Sequence, residues 1–217
     1  MTIARQGWPV IATMAFTLGV VAAVGTAAGY PVALLPFVLG TAFSFWFYRD
    51  PERVPPADDR LVVSPADGRV LDVTPGRETQ YLGGQAATRI SIFMSPLDVH
   101  VNRNPVSGAV TLVRHTAGKF AAAFKDKASL DNERNAVVID RGGRRFLFIQ
   151  IAGAVARRIV CHIQPGEQVQ RGERMGLIMF GSRVDVWLPP DVTPRVQAGD
   201  RVSAGTTVLG EIPAEPR

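Results

Sequence analysis

Cysteine occurs once in this 217-residue chain, histidine three times, and no charged side chain stands between Trp8 and Tyr48. The single thiol, Cys161, excludes an intramolecular disulfide framework, leaves too few sulfurs for a cysteine-based metal site, and points to a reducing compartment for the soluble part. No long heptad segment is present, which argues against a coiled-coil adaptor. The basic residues are scattered and lack interleaved aromatics, which argues against nucleic acid as a partner. Lys and Arg still outnumber Asp and Glu, 24 to 19, for a formal charge of +5. An acidic lipid surface or an acidic substrate is left as the anionic partner.

The charge-free stretch decides between them. It divides at Gly29-Tyr30-Pro31 into two apolar runs of near-spanning length, the pattern of a helical hairpin in or across a bilayer over residues 1–50. A secretory signal peptide would carry a shorter apolar core and a small-residue cleavage site, whereas this segment ends in the aromatic "FSFWFYRDPER". Arg5 precedes the hairpin and Arg49 and Arg53 follow it, so the positive-inside rule puts both ends on the cytoplasmic face of the cell membrane. Trp46, Phe47 and Tyr48 suit the interfacial belt.

Beyond the "DPERVPP" linker, residues 51–217 read as a mainly β domain. Seven short β-branched and aromatic runs, "RLVVSP", "GRVLDVTP", "TRISIFMSP", "GAVTLVRH", "NAVVIDRG", "RRFLFIQIAG" and "RRIVCHI", are each bounded by Gly, Pro, Asn or Asp. One helical possibility, "AGKFAAAFKDKAS", interrupts them. "VQRGERMG" at 169–176 recurs approximately as "VQAGDRVSAG" at 196–205. Such glycine turns resemble those of lipoyl- and biotinyl-type domains, so the expected fold is a barrel-sandwich hybrid preceded by the hairpin.

The dipeptide Gly181-Ser182 stands in what reads as continuous β-structure, where glycine needs a reason to be. A Ser hydroxyl set against the preceding carbonyl can convert that peptide bond to an ester when a base takes its proton. Glycine leaves the carbonyl open to approach. Should the ester then eliminate, Ser182 becomes dehydroalanine, which loses ammonia to leave a pyruvoyl group. Taken alone, Gly-Ser is an ordinary turn dipeptide.

Five separated motifs supply context: "VSPADGRV" at 63–70, "FMSPLDVHVNRNPVSG" at 93–108, "DNERNAVVI" at 131–139, "IQIAGAVARRIV" at 149–160 and "FGSRVDVWLP" at 180–189. In this order and spacing the chain resembles phosphatidylserine decarboxylases of the short, membrane-associated form. The resemblance implies a proenzyme that cuts itself between Gly181 and Ser182 into a β chain, 1–181, and an α chain, 182–217, which stay together as a heterodimer, with higher oligomers open. It implies a covalent pyruvoyl cofactor derived from Ser182, whose carbonyl forms a Schiff base with the amine of phosphatidylserine and takes up the electrons released by decarboxylation to phosphatidylethanolamine. No metal is implied.

The same resemblance makes Asp67 the acidic member of an Asp-His-Ser set for self-cleavage and puts His100 at the active site, as proton donor to Cα or as an aid to processing. The long form has a second histidine where this chain has Arg103, and a guanidinium is no base at neutral pH. The base for Ser182 is therefore open among His100, His115 and His162. Arg103, Arg134, Arg157 and Arg158 are candidates for holding substrate phosphate or carboxylate, or solvated surface charges. The rival readings are a membrane-anchored lipoyl-like carrier modified at Lys127, or an adaptor domain without catalysis.

Overall fold

The computed structural model describes residues 2–118, 132–153, 158–179 and 181–214, and the chain divides into two compact units, Met1–Glu52 and Arg53–Arg217. In the first, helices α1 (Gly7–Ala27) and α2 (Leu34–Phe47) are joined through a 3-10 turn at Pro31–Ala33. Helix α1 stops because Gly29 takes φ +87°, which lets the Gly29 N–H reach Thr26 O and the Tyr30 N–H reach Gly25 O, satisfying two terminal carbonyls. Small residues let the helices approach: Gly40 faces Leu18, Gly19 faces Phe37, and Ser44 Oγ donates to Met14 Sδ. Strands β1 (Thr2–Ile3) and β2 (Arg49–Asp50) pair at the open end.

The two apolar runs differ in reach. At 21 residues, α1 extends about 31 Å at 1.5 Å per residue, the thickness of bilayer hydrocarbon. With 14 residues, α2 extends about 21 Å. Among the described residues α1 alone meets the length and hydropathy of a span, and Pro31–Ala33 of the second apolar run is spent on the turn that precedes α2. Phe16, Val24, Val32 and Leu39 are each at least 60% exposed, so the unit presents apolar side chains outward.

In the second unit, all seven runs form strands, with seven further short ones between and after them. These are β3 (Leu61–Val63), β4 (Gly68–Glu78), β5 (Gln85–Met94), β6 (Val101–Arg103), β7 (Gly108–Thr116), β8 (Arg134–Arg141), β9 (Arg144–Ile151), β10 (Ile159–Cys161), β11 (Gln168–Val169), β12 (Arg174–Ile178), β13 (Ser182–Leu188), β14 (Thr193–Pro194), β15 (Arg201–Val202) and β16 (Val208–Glu211). An eight-stranded antiparallel sheet, ordered β11-β7-β8-β9-β13-β5-β4-β15, curls into a half-barrel; three-stranded sheets β10-β12-β6 and β14-β16-β3 accompany it. The proposed helix at 117–129 falls almost wholly outside the described residues, as does Lys127.

Period-two alternation sorts the large sheet into faces. Ile90, Ile92, Met94, Val137, Ile139, Phe146, Phe148, Val184 and Val186 point to the main core, while Ala87, Ala136, Val138 and Leu147 on the other face pack beneath Tyr81 and Leu82. The repeat has a common turn chemistry. Glu173 accepts from Gln170 N at 3.0 Å and Asp200 from Gln197 N at 2.9 Å, with Gly172 and Gly199 at φ +81° and +95°. Each glycine N–H then ties its turn to a neighbour, Gly172 to Asn104 O and Gly199 to Val70 O.

Gly176, in the middle strand of its sheet, marks the closest approach: a Cβ built there lies 1.9 Å from Val160 O. Gly176→Ala must push β10 off β12, and we expect it to lower stability by about 2–3 kcal/mol, read as a drop in thermal midpoint in a Ser182→Ala background.

Candidate functional site

The glycine in the dipeptide does not interrupt a strand. Strand β12 ends at Ile178 in one sheet and β13 begins at Ser182 in another, so Met179 to Gly181 is a crossover, and the continuous β-structure expected from the sequence is two strands of different sheets. Gly181 takes φ +59°, a left-handed conformation that suits glycine, and a Cβ built on it meets nothing within 4 Å among the described residues. Met179 N donates to Arg158 O and Ile178 N to His100 O, so β10 and the entry to β6 flank the crossover.

Ser182 is fully buried, and its Oγ donates to Met94 Sδ at 3.4 Å, its one hydrogen bond among the described residues. A thioether is a weak acceptor and no base. Met94 Sδ also accepts from Asn102 Nδ2 at 3.7 Å, and a ladder of buried amides follows: Gln150 Nε2 donates to Asn102 Oδ1 at 2.9 Å, and Asn135 Nδ2 to Gln150 Oε1 at 3.0 Å. Among the described residues the hydroxyl thus sits beside buried neutral side chains whose polar groups bond one another. Neither Met94 nor these amides were singled out from the sequence, although Met94 and Asn102 lie inside one of the quoted motifs.

Register brings the other candidates to the same end of the sheet. Ser182 pairs with Met94 at the end of β5, and β4, which pairs Arg69 with Phe93, starts one residue after Asp67. Ser182 and Asp67 therefore lie on either side of β5, two strand spacings or about 10 Å apart. His100 follows on the loop out of β5 and is buried; its Nδ1 lies 2.9 Å from Asp98 O. A carbonyl only accepts, so Nδ1 carries a proton and, in the neutral ring, Nε2 keeps the lone pair. Neither Ser182 nor Asp67 hydrogen-bonds to His100 among the described residues.

Asp67 is held from two sides. Its Oδ2 accepts from Arg53 Nη2 at 2.8 Å and its Oδ1 from Ala204 N at 2.8 Å. Burial pushes its pKa above the ordinary carboxylate value, with Asp98 adding to the rise, and the Ala204 N–H and Arg53 only partly offset this. A folded pKa raised above the unfolded one means that the stability tied to this group is complete below the unfolded pKa and is lost as pH rises through the folded one. In a Ser182→Ala background, Asp67→Asn is therefore expected to remove that decline, so that its melting midpoint gains on the parent's as pH rises through the acidic range. A parallel pair of melting curves would count against the assignment.

The arginines separate by environment. Arg103 is buried and its Nη1 donates to Gly172 O at 2.8 Å, with its stem against Gly205. Arg134 opens β8 and is half-buried, Arg158 is exposed beside the crossover, and Arg157 lies outside the described residues. His115 is a surface group facing Glu133 at 3.6 Å, and His162 is exposed. Burial pushes the pKa of the Cys161 thiol up, which favours its protonated form. A buried pair missed by sequence reading lies on the opposite face from Ser182: Arg183 Nε and Nη2 bind both oxygens of Asp185, and Nη2 also donates to Ser91 Oγ. Among the described residues, no cluster of His, Cys, Asp and Glu suits a metal ion.

Comparison with known proteins adds the following. Residues 41–210 match a family model described as phosphatidylserine decarboxylase. The chain is 48% identical over 215 residues to the phosphatidylserine decarboxylase proenzyme of Pelobacter propionicus, covering 97% of this chain and 96% of that protein. It is 46% identical to the proenzyme of Burkholderia mallei, over 99% of this chain and 97% of that one. The Symbiobacterium thermophilum proenzyme is also 46% identical, over 97% and 96%.

Proposed function

Because the chain belongs to the phosphatidylserine decarboxylase family, we propose that it converts phosphatidylserine to phosphatidylethanolamine and CO2 with a pyruvoyl group made from its own Ser182. It is a pyruvoyl-dependent carboxy-lyase and a proenzyme. The observation that carries the serine assignment is the crossover: a fully buried hydroxyl directly after a glycine at positive φ, where the chain passes from β12 in one sheet to β13 in another.

The residues fit the group. Among the described residues a Cβ on Gly181 would meet nothing within 4 Å, and the hydrogen bond of the Ser182 hydroxyl goes to the Met94 thioether, a weak acceptor. In processing, Oγ of Ser182 adds to the Gly181 carbonyl while its proton passes to His100 Nε2; the C–N bond breaks and an ester links the two segments. Asp67, its carboxylate held by Arg53 and the Ala204 N–H, balances the positive charge that develops on the imidazole. Loss of the Cα proton expels the Gly181 carboxylate, and water replaces the nitrogen as ammonia. The resulting ketone supplies the electron sink for decarboxylation. His100 then holds the proton to be returned to Cα, and Arg158, exposed beside the crossover, and Arg134, which opens β8, are the candidate contacts of a headgroup phosphate.

The products would be chains 1–181 and 182–217. The paired glycine turns support a barrel-sandwich hybrid for the second unit. The outward apolar side chains of α1 and α2 support attachment to the cytoplasmic face of the cell membrane, where the net charge of +5 favours an anionic leaflet. The test is incubation of the purified protein with phosphatidylserine vesicles and mass analysis of the lipid. Conversion to phosphatidylethanolamine is expected; unchanged lipid in the presence of correctly cut protein would remove the assignment of substrate.

A further inference from the structure

We propose that Arg53 is a positioning residue of the processing centre, and that residues 53–61 form a strap whose seating on Asp67 precedes cleavage at Gly181-Ser182. This rests on the role of Asp67 given above. The sequence presents these residues as a linker, but the second unit grips them throughout. Arg171 Nη1 donates to Asp58 O at 2.5 Å and Leu61 O at 2.7 Å, and its Nη2 to Pro56 O. Arg141 donates to Asp59 O at 2.8 Å and to Asp59 Oδ2. Pro55 lies against Gly172, and two consecutive prolines stiffen the segment.

The held strap delivers Arg53 to Asp67 at 2.8 Å, with the two side chains only 14% and 13% exposed. The charged groups facing Asp67 are Arg53, which favours the carboxylate, and Asp98, which opposes it. Arg201 lies 3.5 Å from Asp98 but is 80% exposed and screened. Arg53 is thus the close cation that offsets burial, and it comes from one prospective product chain while the Ala204 N–H comes from the other. With the strap unseated, Asp67 would keep its proton and cease to oppose the charge on His100.

The experiment follows cleavage of the full chain, synthesised without cells in the presence of phosphatidylglycerol vesicles, by intact mass over time and pH. Arg53→Met is expected to move the acidic limb of the cleavage rate upward by about one pH unit, so that at a pH on that limb it is cut about tenfold more slowly. Arg53→Lys is expected to restore most of the rate. Arg171→Met, which loosens the strap without touching Asp67, is expected to shift the limb the same way by less. Melting in a Ser182→Ala background separates folding from processing: a lowered midpoint with an unmoved limb makes Arg53 merely structural and overturns the proposal. So does wild-type cleavage of Arg53→Met while Asp67→Asn is blocked. Wild-type cleavage of Asp67→Asn instead removes the role of Asp67, and the strap falls with it.

Discussion

Ser182→Ala is expected to yield one full-length chain by intact mass and to lose at least about 10³-fold of decarboxylation, where the parent yields two chains, the smaller starting at residue 182 with a blocked N-terminus. The size of the loss follows from the number of functions carried by one oxygen. In the processing proposed above, Oγ is the attacking atom and the same residue becomes the ketone on which decarboxylation depends, so on that reading no residual route survives its removal. The fold should not notice. Among the described residues the hydroxyl makes one weak bond, to Met94 Sδ, and its loss is expected to change stability by less than about 1 kcal/mol. An unchanged melting curve beside a single uncut chain separates chemistry from folding. Recovery of two chains from this variant would show that the cut lies elsewhere.

His100→Ala is the second large effect, expected to slow self-cleavage by about 10²–10⁴-fold, the usual range for a lost general base. The three histidines differ enough in environment to make the comparison informative. His100 is buried, with Nδ1 fixed against Asp98 O and its main chain bonded to Ile178, four residues before Ser182. His115 faces Glu133 at the surface and His162 is exposed. Replacing either of the latter with Ala is expected to leave cleavage within a factor of about two, as for surface substitutions generally. Rapid cleavage of His100→Ala, with arrest in either of the others, would reassign the base.

Sequence patterning reveals the long strands because β-branched and aromatic residues alternate between turn residues over eight or more positions, as in β5, β8 and β9. It does not reveal β6, β14 or β15, which are two or three residues long and owe their conformation to neighbours rather than to propensity. The turn chemistry was only partly read: Gln164-Pro165-Gly166-Glu167 is a third copy of the Gln-x-Gly-acid pattern, with Gly166 at φ +92° and its N–H on Val110 O. At the site, adjacency made Gly181-Ser182 visible. The strand exchange at that point was invisible, since it depends on β12 pairing with β10 and β6 while β13 pairs with β5 and β9. Arg53 was hidden for a related reason. A charge after an apolar run reads as a membrane-flanking residue, and nothing local reports that Asp67, fourteen positions on, lies within its reach.

Strand β13 is an interior member of the eight-stranded sheet, aligned with Thr88–Met94 on one side and Leu147–Ile151 on the other, while β16 fills the centre of a smaller sheet. Strands β13, β15 and β16 are therefore woven into the fragment that precedes the Gly181-Ser182 bond. Severing that bond frees a chain end without freeing a subunit: the two polypeptides should travel together through native chromatography and part only in denaturant. A protein whose sheet has been unravelled after maturation would then have to reassemble from two pieces, which makes maturation a one-way passage for the molecule's folding as well as for its chemistry.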